Sequence, residues 1–240
     1  QFQSTSLLSG GIDTNFIKSQ KTLPLNIDVS SVNAGLQYEI NSTNYLFNPR
    51  TGSYGNLTGS VGIKKVKQNN IITGIKDPAF NYVSLYDSIK SKGYQLRLKV
   101  AAAHYIPIGK YSTLKTALTG GLFISPEIFR NELFQIGGYS LLRGFDEESI
   151  YTNGFGVASA EYRVLVSRNS YFFLFTDGAV ARAKYQSVNS TNNFISAGLG
   201  LLYETKAGLI NISFALGKRN DVPFNLREAA KLHFGYINYF

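Results

Sequence analysis

The chain has 240 residues, a formal charge of +9 and 44% hydrophobic residues, with no Cys. Disulfides and thiolate metal sites are therefore excluded, and no apolar run approaches the roughly 18 residues that a transmembrane helix requires. The positive charge would attract anionic partners, but the basic residues are spread through strands and loops and do not form an arm interleaved with aromatics, so nucleic acid is not an expected partner.

With 17 Phe, 16 Tyr and 23 Gly, the composition fits pleated strands and tight turns, and no linker or repeat divides the chain, so residues 1–240 read as one all-β domain. Ser4 to Ile12 predicts a first, blurred strand. From Val32 a period of two is clear: Val32, Ala34, Leu36, Tyr38 and Ile40 share one face, and Asn33, Gly35, Gln37 and Glu39 the other. After the Asn48-Pro49-Arg50-Thr51-Gly52 turn, Leu57, Gly59, Val61 and Ile63 oppose Asn56, Thr58, Ser60 and Lys64. Between Lys64 and Gly93 the alternation dissolves into a long segment with Lys64, Lys65, Lys67, Lys76, Lys90 and Lys92, which predicts an outer loop facing anionic lipopolysaccharide. Leu96, Leu98 and Val100 then face away from Gln95, Arg97 and Lys99. The Ile106-Pro107-Ile108-Gly109 turn leads to a strand with Leu114, Thr116, Leu118 and Leu122 against Lys115, Ala117 and Thr119.

The next stretch, Gly137-Gly138-Tyr139-Ser140-Leu141-Leu142-Arg143-Gly144-Phe145-Asp146, breaks the pattern. Its glycines permit positive φ and close backbone approach, and Gly144 leaves the Arg143 guanidinium unshielded on one side. About five strands follow. The first sets Ala158, Ala160, Tyr162 and Val164 against Ser159, Glu161 and Arg163, and the second runs from Tyr171 through Phe175 to Asp177. The third and fourth oppose aliphatic and aromatic residues at 195–203 and 210–216 to small or polar ones, and in the last Leu232, Phe234, Tyr236 and Phe240 share a face. Alternating segments of about ten residues, separated by long and short connections in turn and closed by a terminal aromatic, point to a transmembrane antiparallel β-barrel with about ten strands in this chain. A soluble barrel with its apolar face inside shares the alternation alone.

Four runs taken together, Phe134-Gln135-Ile136-Gly137-Gly138 with Leu142-Arg143-Gly144-Phe145, Glu161-Tyr162-Arg163, Phe175-Thr176-Asp177-Gly178 and the final Phe240, resemble the Omp85 superfamily of outer-membrane assembly and secretion barrels, of the BamA, TamA and FhaC types. The resemblance implies a bacterial outer-membrane location and a sixteen-stranded barrel of which this chain forms the C-terminal part. No pattern of a periplasmic POTRA module is visible. It further implies that Arg143, Gly144 and Phe145 form the tip of an extracellular loop that folds back into the lumen, with Arg143 paired to Asp177 and Glu161. On charge alone those carboxylates have Arg163 and Lys99 as alternative partners.

The resemblance implies insertion or assembly of other outer-membrane proteins, with a secretion-type or passive diffusion pore as the alternative. Expected partners are outer-membrane lipid and lipopolysaccharide, client β-barrel or secreted proteins, and periplasmic accessory proteins. No cofactor is expected. His104 and His233 lie far apart without the carboxylate spacing of a metal site, and neither a nucleophile elbow nor a phosphate-binding glycine loop occurs, so the chain reads as a non-enzyme.

Overall fold

A computed structural model describes residues 2–238. In chain order the strands are β1 (Phe2–Leu7), β2 (Val29–Asn41), β3 (Gly52–Val66), β4 (Lys92–Ile108), β5 (Ser112–Ile124), β6 (Phe134–Ile136), β7 (Ile150–Thr152), β8 (Gly154–Leu165), β9 (Tyr171–Tyr185), β10 (Val188–Thr205), β11 (Gly208–Arg219) and β12 (Ala230–Asn238). Three short helices, α1 (Thr14–Gln20), α2 (Asn70–Thr73) and α3 (Leu226–Ala229), lie in the connections. No described helix is long and apolar enough to cross a membrane.

Ten of the strands form one antiparallel sheet in the order β1-β2-β3-β4-β5-β8-β9-β10-β11-β12, while β6 and β7 pair separately inside the β5–β8 connection. The sheet is not closed: β1 and β12 lie at its two edges, each paired on one side only among the described residues. A tilted strand crosses a bilayer in about 9–11 residues. From β2 onward every strand of the large sheet reaches that length, between the 9 residues of β12 and the 18 of β10, whereas β1 has 6.

Strict alternation gives the sheet two chemically different faces. Leu36, Val61, Phe172, Leu199 and Phe234 stand 83%, 59%, 56%, 57% and 66% exposed on the outside, which is the arrangement expected when the apolar face meets lipid. Soluble barrels place this face inside, so the exposure separates the two readings that alternation alone leaves open. Their inward neighbours are polar, small or aromatic, and the buried ones include Lys64, Glu161, Arg163, Phe173, Phe175 and Asp177.

Connections at one end are short, spanning residues 42–51, 109–111, 166–170 and 206–207. Those at the other end include the long segments 8–28, 67–91 and 125–153. Here the structure corrects three expectations. The first strand stops at Leu7. Residues 8–28 instead carry α1, whose N-terminus is capped by the Asp13 side chain accepting from the Asn15 and Phe16 amides. The alternation of β3 continues through Val66, and because Ile63 and Lys65 point outward, Lys64 points inward and is 2% exposed. The outer loop is therefore 67–91, it lacks Lys64, Lys65 and Lys92, and it folds on itself. Ile72, Tyr82 and Tyr86 pack with Ile17, Ile27 and Phe129 into a small core that caps this end of the sheet. Finally, Ile106 to Ile108 continue β4, with Pro107 opposite Thr113, and the turn begins at Gly109.

Within the cap, the Asp28 carboxylate accepts from the Ser9 amide and hydroxyl, both at 2.6 Å, and from Asn69 Nδ2 at 2.7 Å. Burial works to raise its pKa, but the Ser9 and Asn69 bonds and the Lys67 charge outweigh burial and hold it below the ordinary value.

Candidate functional site

Register sets the site out in two inward rows. One row runs Ala117, Ser159, Asp177, Ser196, Gly217 across β5, β8, β9, β10 and β11, and the next runs Lys115, Glu161, Phe175, Gly198, Ala215. Small residues at 196, 198, 215 and 217 leave the wall hollow beside the two carboxylates.

The β5–β8 connection enters that hollow. Its base is the hairpin of β6 and β7, with Phe134 opposite Thr152 and Ile136 opposite Ile150. Beyond it, Gly137 and Gly138 take φ of +117° and +96° and turn the chain back, so that the Gly138 amide donates to Phe145 O at 3.2 Å. Leu142 is fully buried and packs with Phe134, Ile136, Val157 and Phe194, while Phe145 meets the Phe194 ring edge to face at 5.2 Å.

Arg143 reaches the wall. Its Nε donates to Asp177 Oδ2 at 2.9 Å and one terminal nitrogen to Asp177 Oδ1 at 2.7 Å, a two-pronged contact. The other terminal nitrogen donates to Glu161 Oε2 at 2.5 Å. Ser159 Oγ accepts from the guanidinium at 2.9 Å and itself donates to Asp177 Oδ1 at 2.7 Å, and the Arg143 amide adds a bond to Asp177 Oδ2 at 3.1 Å. The Phe175 ring lies under the guanidinium, 3.6 Å from its central carbon to the centroid. Arg143, Glu161 and Asp177 are 9%, 6% and 1% exposed, so the charges are desolvated and depend on one another.

Gly144 takes φ +87° and lies against Gly217, where a Cβ on Gly144 would come within 3.0 Å of the Gly217 backbone and of Ser196 Cβ. Its amide donates to His233 Nε2 at 2.9 Å, which places the imidazole proton on Nδ1. The tip thus touches β8, β9, β10, β11 and β12 together.

The structure brings Arg143, Gly144, Phe145, Glu161 and Asp177 into one cluster, with Gly137 and Gly138 at the entry to the tip. Glu161 takes the partner implied by the resemblance and one of those left open by charge: Arg143 holds Oε2 while Arg163 Nε donates to Oε1 at 2.8 Å. Lys99 does not join; its ammonium lies over the Phe134 ring. Phe234 and Tyr236 point outward on β12, 66% and 47% exposed, and Phe240 lies outside the described residues.

Sequence reasoning missed the neighbours that extend this cluster. Arg163 also donates to Asn48 Oδ1 at 3.0 Å, so the 42–51 turn is drawn in beneath the sheet. Leu46 and Phe47 then line a cavity of about 340 Å³ under the tip, together with Lys115, Arg143, Glu161 and Tyr171. A second anchor was missed altogether. Lys64 Nζ donates to both Glu132 carboxylate oxygens at 2.8 and 2.7 Å and also to Glu127 O, and the Arg97 guanidinium donates to Glu132 O at 2.6 Å while lying between the Phe123 and Phe134 rings. The connection is therefore held at its stem by β3 and β4 and at its tip by β8 and β9.

A family model for the Omp85 superfamily domain matches residues 14–236. No curated protein matches the chain.

Proposed function

Since the chain belongs to the Omp85 superfamily, we propose that it works as an outer-membrane barrel that inserts or assembles other outer-membrane proteins. Members of this superfamily are outer-membrane proteins, and membership accords with protein insertion or secretion at that membrane. The finer reading rests on one observation: the 125–153 connection is folded onto the inward face of the sheet and its tip guanidinium is taken up by Asp177, Glu161 and Ser159. A passive diffusion pore needs that space free. An insertion barrel instead needs a stiff wall beside a deformable one, and a tip that touches β8 through β12 stiffens that half of the sheet. In this reading Arg143, Gly144, Phe145, Glu161 and Asp177 hold the loop, client β-barrel chains and periplasmic accessory proteins are the partners, and lipid and lipopolysaccharide surround the sheet. The work is mechanical, without catalytic residues or cofactor.

The cavity beneath the tip favours one second reading, a secretion pore that opens when the tip leaves. Proteoliposomes separate the two. An inserting barrel accelerates the folding of a urea-denatured outer-membrane barrel into its own membrane, and Arg143→Ala abolishes the acceleration. A secretion pore leaves that rate unchanged and gains ion conductance when Arg143 is replaced. Purification without detergent as a soluble monomer would refute both.

A further inference from the structure

We propose that the short-turn end of the sheet carries a binding site for a phosphate group, built from Arg50, Lys110 and Arg168. These residues come from three different turns that are tied together. Asn48 Nδ2 donates to Arg168 O at 3.1 Å, and a terminal nitrogen of Arg50 donates to Gly109 O at 3.1 Å. Asn44 Oδ1 accepts from the Arg50 and Thr51 amides at 2.9 and 3.2 Å, which fixes the backbone from which Arg50 projects.

Between the turns lies a groove of about 480 Å³ lined by Asn44, Tyr45, Arg50, Lys110, Tyr111 and Arg168 among others, and among the described residues no carboxylate lines it. That composition is unlike the rest of the interior, where Lys64, Arg143 and Arg163 each face Asp or Glu. Arg50 Nε is buried and has no hydrogen-bond partner among the described residues. A guanidinium donor without an acceptor is costly, and because the Arg50 side chain lines the groove, a small turn of it would bring that donor to an anion there. The Arg168 guanidinium lies over the Tyr45 ring at 4.4 Å and Lys110 over Tyr111 at 5.2 Å, which orients both cations.

Two planar guanidinium groups with an ammonium suit a tetrahedral phosphate, whose oxygens can accept from donors in several directions, better than a planar carboxylate, which one two-pronged Arg would saturate. A lipid headgroup and free phosphate share this chemistry. Tyr111 and Val166, 60% and 63% exposed at the rim, favour the lipid, because they continue the apolar outer face to the level of the groove.

The test uses the full chain in a non-ionic detergent. Native mass spectrometry compares retention of phosphatidylglycerol with that of diacylglycerol of the same chain length, and calorimetry titrates inorganic phosphate. The expected result is a preference for phosphatidylglycerol that falls about tenfold in Arg50→Gln and in Arg168→Gln, the loss of one charge-assisted bond. Arg168 is exposed, so its variant stays informative where Arg50→Gln does not fold. Lys206→Gln, in the 206–207 turn at the same end, should leave retention unchanged. Binding of inorganic phosphate with the same sensitivity to Arg50 and Arg168, but no lipid preference, would support the site and assign it to free phosphate. Absence of both kinds of binding, or equal weakening by Lys206→Gln, would overturn it.

Discussion

The two anchors of the 125–153 connection hold the same segment by different chemistry. At the stem, Lys64 and Glu132 form a single pair with side chains 2% and 3% exposed, packed against Phe123 and Phe129. At the tip, Arg143 divides its donors among Asp177, Glu161 and Ser159 beside a cavity of about 340 Å³. If the tip withdraws, Glu161 keeps Arg163, Asp177 keeps Ser159, and the cavity offers room for water. If the stem withdraws, Lys64 loses the Glu132 carboxylate in a dry setting. The stem is thus a fixed root and the tip a releasable latch.

Substitutions can break that contrast, and the largest effect belongs to the stem. Lys64→Ala leaves Glu132 buried and unpaired, which costs about 3–5 kcal/mol, whereas Lys64→Met with Glu132→Leu should recover most of the loss because two apolar groups need no partner. Urea unfolding followed by heat-modifiable gel mobility measures both. A double variant as weak as the single one would show that the pair contributes more than mutual neutralisation.

At the tip, Arg143→Ala and Asp177→Ala remove the same contact, so their losses should overlap by about 1–3 kcal/mol in a double-mutant cycle. Arg143→Lys should restore neither stability nor client folding, since an ammonium cannot make the two-pronged contact. Additive losses, or a fully active Arg143→Lys, would mean that the tip does not act through Asp177.

A smaller effect is expected at Ser159, where Ala removes the bonds to the Arg143 guanidinium and the Asp177 carboxylate but leaves the ion pair, and should cost about 1.5 kcal/mol in the same unfolding assay, without altering client specificity. A loss as large as that of Arg143→Ala would make Ser159 a principal anchor.

The outer cap gives the mildest prediction. Because the folded Asp28 carboxyl has a depressed pKa, its stabilising bonds are fully present above the unfolded value of ~4 and are lost as the pH falls through the lower folded value. Proteolysis of 67–91 should therefore quicken only in acid, and Asp28→Asn should remove that dependence. Equal acid sensitivity in the variant would place the titrating group elsewhere.

Legibility in the sequence followed the range of the forces involved. Period-two alternation is local, so the faces of β2, β3, β4 and the strands after the tip were readable, and so was the inward parity of Glu161 and Asp177. The tip was readable from glycines that only an unusual backbone requires. Lys64 was hidden because its partner is 68 residues away in a loop and its neighbours Lys65 and Lys67 made it look like part of a solvated run. His233 carried no signal either. Its role as acceptor for the Gly144 amide depends on a register across five strands that no local pattern encodes. The Ser4 to Ile12 segment was misread past Leu7 because α1 and its Asp13 cap follow at once, and apolar residues serving the cap core look like a blurred strand.

The spacing of the two anchors along the chain also orders how they form. Arg143 lies 18 residues from Glu161 and 34 from Asp177, while Lys64 lies 68 from Glu132. Loop closure costs about 0.6 kcal/mol more for each doubling of length, so the latch needs little more than the β8–β9 hairpin, whereas the root waits for β3, β4 and the stem to meet. Assembly would then begin in the C-terminal half, with the loop already on its own hairpin before the rest of the wall arrives.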